Sequence, residues 1–158
     1  MKTVKLFCAV TLLMGVTAAV LGQQPAEDEQ QQPTRDQIRT AVQGICPVTG
    51  RKLGTHGDVV KVKIGEEEIF LCCKGCTSGK IAKEHWATIH ANFAKAQGIC
   101  PVMKKALPTS AKWTIVKGQI VYVCCPPCIK KIEADPDTYL QKVDELYRAS
   151  LSAAQKSQ

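Results

Sequence analysis

Aromatic side chains make up only 5% of this chain, and its three histidines all lie at or before residue 90. So few large rings leave room for one ordinary domain or two very small ones. There is no Ser-His-Asp order, no phosphate-binding glycine loop and no metalloprotease helix motif, so no enzyme is expected. The formal charge of +7 comes from scattered lysines and arginines with no aromatics interleaved among them. That excess reads as a cationic soluble surface, and no nucleic-acid partner is expected.

Cysteine, by contrast, is plentiful, and eight of the nine fall in a pattern that occurs twice. Gln43-Gly44-Ile45-Cys46-Pro47-Val48 leads to Cys72-Cys73-Lys74-Gly75-Cys76, and Gln97-Gly98-Ile99-Cys100-Pro101-Val102 leads to Cys124-Cys125-Pro126-Pro127-Cys128. Each repeat is about 50 residues long, a size that buries too little apolar surface to be secure without a disulfide, a metal or a neighbour. The cysteines lie where such a staple is needed.

The N-terminus carries Lys2 and Lys5 before an uncharged stretch from Leu6 to Gly22, with small residues at Thr17 and Ala19 or at Val20 and Gly22. This predicts a cleaved export signal over residues 1–22 and a periplasmic or secreted protein, touching a membrane only through this segment if it stays uncleaved. The run is short for a bilayer span. Cys8 leaves with the signal, and losing Lys2 and Lys5 takes the charge from +7 to +5. Residues 23–34, rich in Gln, Glu and Pro, predict a disordered linker.

The folded part divides into a first cysteine-rich module with a preceding helix over 35–96, a second module over 97–150, and a flexible tail over 151–158. Thr34 and Gln37 form a capping-box pair for a helix from Arg35 to Val42 that Gly44 ends. Val60, Val62 and Ile64 alternate with lysines, Gly65 marks a turn, and Ile69-Phe70-Leu71 returns toward Cys72. The second copy repeats this hairpin with Trp113 and Ile115, a turn at Lys117-Gly118, and Ile120 to Val123. Helical periodicity follows each cluster: Ile81, His85, Ile89 and Phe93 in one, Ile129 and Ile132 in the other. Asp135-Pro136 then caps a last helix from Asp137 to Leu151. The predicted fold class is α+β, with two tandem small modules, each a loop with a cysteine, a β-hairpin and a following helix.

Each module places one cysteine on a turn and the others where a strand ends and a helix begins, so folding brings both ends of the hairpin to one point. Zinc takes about four nitrogen or sulfur ligands there, and soft sulfur also suits Cu(I) with fewer. The expected metal ligands are Cys46, Cys72, Cys73 and Cys76, then Cys100, Cys124, Cys125 and Cys128. Adjacent residues tend to point apart, so Cys73 and Cys125 are auxiliary candidates. Met103 offers a thioether to Cu(I) or fills a core gap. His56 reads as a surface loop residue and His85 as a packing residue; His85 and His90, five apart, do not share a helical face.

Cys100-Pro-Val-Met103, the Val-Lys-Gly-Gln-Ile-Val-Tyr run, the Cys124 and Cys128 pair and Glu133-Ala-Asp-Pro-Asp-Thr-Tyr-Leu140 resemble the YHS/TRASH group of small metal-binding domains. That resemblance implies a treble-clef-like fold and the handling of zinc, copper or another soft metal through Cys46, Cys72 and Cys76, and through Cys100, Cys124 and Cys128. Its implied partners are a metal ion and another metal-handling protein. The first copy departs from the pattern, lacking Asp-Pro-x-x-Tyr-Leu. Two other readings stay open on the residues alone. Eight cysteines in an exported chain also suit a disulfide-stapled structural or interaction module, and the Cys73-x2-Cys76 and Cys125-x2-Cys128 pairs suit thiol-disulfide redox chemistry.

Overall fold

A capping box opens the first helix, α1 (Arg35–Gln43): Thr34 accepts from the Gln37 amide at 3.3 Å, and the Gln37 side chain accepts from the Thr34 amide at 2.8 Å. It runs one residue past its expected end, to Gln43, and is capped by Gly44, whose φ of 76° only glycine adopts freely. The computed structural model describes residues 33–157, so the expected export signal and nearly all of the expected linker lie outside the described residues. After α1 come β1 (Val60–Ile64), β2 (Glu67–Leu71), a single 3-10 turn (Lys74–Ser78) and α2 (Lys83–Gln97). Then follow β3 (Lys112–Val116), β4 (Gln119–Val123), α3 (Pro127–Ala134) and α4 (Pro136–Lys156).

The architecture is α+β, with two separate antiparallel hairpins. Val60 faces Leu71 and Ile64 faces Glu67 in the first, while Lys112 faces Val123 and Val116 faces Gln119 in the second. Both β3–β4 turn residues, Lys117 and Gly118, have positive φ, the geometry that follows the right-handed strand twist. Asp135 caps α4 by accepting from the Thr138 amide, with Pro136 in the first turn. The helix continues to Lys156, so residues 151–156, expected as a flexible tail, are helical. Nothing after Leu151 breaks a helix, and Leu151 still packs against the core. No helix among the described residues is long and apolar enough to cross a membrane.

Helix α2 serves both copies, its first turns packing on the first cysteine turn through His85 and Ala82. Helix α2 ends in Gln97-Gly98 just as α1 ends in Gln43-Gly44, so α2 leads the second copy as α1 leads the first. The main core draws on both: Ile38 and Val42 of α1 and Ile89 and Phe93 of α2 pack with Val121 and Val123 of β4, Ile132 of α3, and Leu140, Val143 and Tyr147 of α4. The Phe93 and Tyr147 rings lie 5.9 Å apart. The first hairpin closes a smaller cluster of its own, made of Cys46, Leu53, Phe70, Leu71, Cys72 and Cys76.

The two hairpins meet edge to turn. The Glu68 amide donates to the Gly118 carbonyl at 2.7 Å, and the Arg39 guanidinium donates to the carbonyls of Glu68 at 2.7 Å and Gly118 at 3.3 Å. Gly118 is required there, because its φ is 78° and a Cβ would lie 2.5 Å from the Glu68 side chain. Nearby, His90 sits between tryptophans of both copies, with ring centroids 5.1 Å from Trp86 and 6.3 Å from Trp113.

Candidate metal centres

Each cluster starts from a tight turn that aims backbone amides at a sulfur. In the first copy the Cys46 amide donates to the Arg51 carbonyl at 2.8 Å and the Gly50 amide to the Cys46 carbonyl at 2.9 Å. In the second, the Cys100 amide donates to Lys105 at 2.8 Å and the Lys104 amide to Cys100 at 2.8 Å. The residue that turns the chain back has positive φ in both, 69° at Gly50 and 54° at Lys104. At Gly50 glycine is also needed for space, since a Cβ would lie 2.5 Å from the His85 ring.

A buried glutamine clamps each turn to its hairpin. Gln43, wholly buried at the end of α1, donates to the carbonyls of Ile45 at 2.9 Å and Phe70 at 2.6 Å and accepts from the Phe70 amide at 2.9 Å. Gln97 makes the same three bonds to Ile99 at 3.0 Å and to Tyr122 at 2.7 and 2.9 Å. These clamps set how far the turn cysteine stands from the end of the second strand. Sequence reasoning assigned them no role, although the doubled Gln-Gly-Ile-Cys-Pro-Val run carried the signal.

The result is two groups of three sulfurs, Cys46 with Cys72 and Cys76, and Cys100 with Cys124 and Cys128, each with all sulfurs within 4.8 Å of one another. Within the first, Cys72 and Cys76 are 3.5 Å apart, and Cys73 stands 3.9 Å from Cys76. Within the second, Cys128 lies 3.8 Å from Cys100, 4.0 Å from Cys124 and 3.3 Å from Cys125. Thiolates at about 2.3 Å from one tetrahedral ion stand about 3.8 Å apart, so these separations suit a shared ion. A disulfide needs about 2.0 Å, and all eight described cysteines are free. Each triad is therefore close enough to hold a metal. Cys73 and Cys125 are half-buried at the edge of their triads and fall outside the mutually close sets.

The electrostatics within each triad are uneven. Burial opposes ionisation of Cys46, but the amides of Cys72, Thr49 and Val48 and the Thr49 hydroxyl outweigh it and bring the thiol down to about 6. Cys76 goes the other way, pushed up to about 12 by its hydrogen bond with Cys72 and by burial. In the second cluster burial again opposes ionisation, yet the amides of Cys124, Met103 and Val102 hold Cys100 below the usual thiol range. Burial and the contact with Cys125 raise Cys128, and burial raises Cys124. Hydrogen bonds from Cys76 and Cys128 lower Cys73 and Cys125 respectively. In each cluster backbone amides thus favour the thiolate form of the turn cysteine.

The other candidates separate from the sulfurs. Met103 is 45% exposed, which removes the gap-filling core role, and its amide faces Cys100. His56 is exposed, as expected of a loop residue. His85 packs on the first turn, its Nδ1 3.3 Å from the Pro47 carbonyl, and His90 instead contacts Glu67 at 3.1 Å. No family model matches the chain, and neither does any curated protein or any solved structure.

Proposed function

We propose that this is an exported, non-enzymatic metal-binding protein that holds one zinc or soft ion such as Cu(I) in each cysteine cluster, in the manner of the YHS/TRASH domains its second copy resembles. The observation that carries this reading is the convergence of sulfurs from opposite ends of each hairpin to within 4.8 Å, twice in one chain. The triads supply the ligands, with Cys73 and Cys125 as auxiliary sulfurs. Bound there, an ion cross-links turn, strand end and following helix, which small units of this size need.

Two measurements check it. Anaerobic titration of the full chain with metal should end at two ions per chain, one per triad. Cys76→Ser, which removes one buried triad sulfur, should lower this to one, whereas an unchanged count would remove the first triad as a site. The second measurement is of pH. Cys76 keeps its proton up to about 12, so the ion must displace it at neutral pH, and protons compete with metal. Affinity measured by chelator competition should therefore rise by about tenfold or more per pH unit between roughly 6 and 8. Below about 6 Cys46 is protonated too, and the dependence should steepen. A flat profile would mean that Cys76 is not a ligand.

A further inference from the structure

The two clusters match in sulfur number and differ in setting. Cys100 and Cys128 belong to the main core together with Ile132, Leu140 and Tyr147, and Cys124 and Cys125 pack against it. Cys46, Cys72 and Cys76 belong to the small separate cluster. The element that carries the last cysteine differs as well: α3 has eight residues and buries Ile132 beside Cys128, while the 3-10 turn has five and buries Cys76 alone. Beside the outer sulfurs the contrast continues. Cys125 is followed by Pro126 and Pro127, whose rings fix the backbone. Cys73 is followed by exposed Lys74 and Gly75, and a side chain on Gly75 would first meet the Cys73 sulfur, at 3.7 Å. Exposure alone does not distinguish the sites, because Cys73, Cys124 and Cys125 are all half-buried. What distinguishes them is how much must move for an ion to leave.

We propose that the two sites divide the work: the second ion is a permanent member of the main core, and the first is cargo that passes through Cys73 to and from a partner presenting a cysteine thiol. This rests on the metal-binding reading above. At the first site the buried triad sulfurs offer an incoming ligand little surface, and Cys73, 3.9 Å from Cys76, touches both the triad and the outside. In the exchange step the incoming thiol gives up its proton, its sulfur bonds to the ion as the bond to Cys73 breaks, and Cys73 takes up a proton; transfer completes as further thiols of the partner displace Cys76, Cys72 and Cys46 in the same way, each incoming thiol giving up a proton and each released sulfur taking one up. No electrons change hands. The absence of a side chain at Gly75 leaves the approach open, and a transfer there disturbs six small-cluster residues instead of the main core.

The test uses the full chain loaded anaerobically with Cd2+, whose thiolate charge-transfer absorption counts bound ions. The loaded protein is challenged with EDTA and, separately, with a reduced cysteine tripeptide, while near-ultraviolet circular dichroism follows the fold. Two phases of one ion each are expected, the fast one with the dichroism unchanged and the slow one accompanying its loss. Cys46→Ser or Cys76→Ser should lack the fast phase, and Cys73→Ser should keep two ions while slowing that phase by about tenfold or more. Loss of both ions at one rate, assignment of the slow phase to the first triad, or an unchanged fast rate in Cys73→Ser would overturn the division of labour. A wild-type chain that takes up fewer than two Cd2+ ions would overturn the metal-binding reading itself, and this inference with it.

Discussion

Gln97→Leu is expected to lower the thermal midpoint by roughly 10 °C or more. The substitution keeps the volume and removes all three hydrogen bonds that hold the second turn to β4, in a position only 1% exposed. It leaves the buried amide and carbonyl of Tyr122 without partners, each at a cost of about 1–3 kcal/mol, and frees the more exposed carbonyl of Ile99. These groups lie beside the main core, so the loss reaches the whole unit. The same change at Gln43 strips an equivalent set of bonds from the smaller cluster. It should therefore weaken metal binding at the first site by about tenfold or more with a smaller shift in midpoint. Calorimetry and metal titration on the two variants separate these effects. A Gln97→Leu midpoint within a few degrees of wild type would show that the clamp does not hold the second module together.

Arg39→Met is expected to cost about 2–3 kcal/mol, measured by denaturant unfolding. Arg39 is 2% exposed, with its guanidinium 5.7 Å from the centre of the Phe70 ring and bonded to carbonyls of both hairpins. Methionine replaces the aliphatic stem but donates nothing. Hydrogen bonds from a charged donor contribute more than neutral ones, and the Glu68 carboxylate 3.7 Å away is left with Lys61 as its remaining counter-charge. The Glu68 amide still holds Gly118, so the join loosens without parting. Arg39→Lys should recover only part of the loss, because an ammonium lacks the planar fork that reaches two carbonyls at once. A variant as stable as wild type would place the strength of the join elsewhere.

Much of the local structure was legible because it rests on short-range chemistry. Thr34 with Gln37, Asp135 with Pro136, and Lys117 with Gly118 each specify a cap or turn within four residues, and all three form. The grouping of the cysteines was legible for a different reason: duplication showed that Cys46 and Cys72 belong together although 25 residues separate them. What escaped depends on long-range burial. Arg39 is a charged residue that periodicity places at random, yet contacts 29 and 79 positions away bury it. Met103, apolar and close to a site cysteine, reads like a core residue, but the turn at Lys104 leaves it outside. Nor does spacing reveal that α2 serves the turn after it as well as the one before it, since a helix between two clusters is adjacent to both.

That placement of α2 bears on how such a chain can be taken apart or inherited. A fragment starting at residue 97 keeps four sulfurs but discards Ile38, Val42, Ile89 and Phe93, stripping the cover from Leu140 and Tyr147. The two halves repeat one pattern in sequence, but the main core is assembled from both, and only the first hairpin keeps a small cluster of its own. Repetition along the chain has become mutual dependence in the fold, and the smallest unit that can stand alone is the pair.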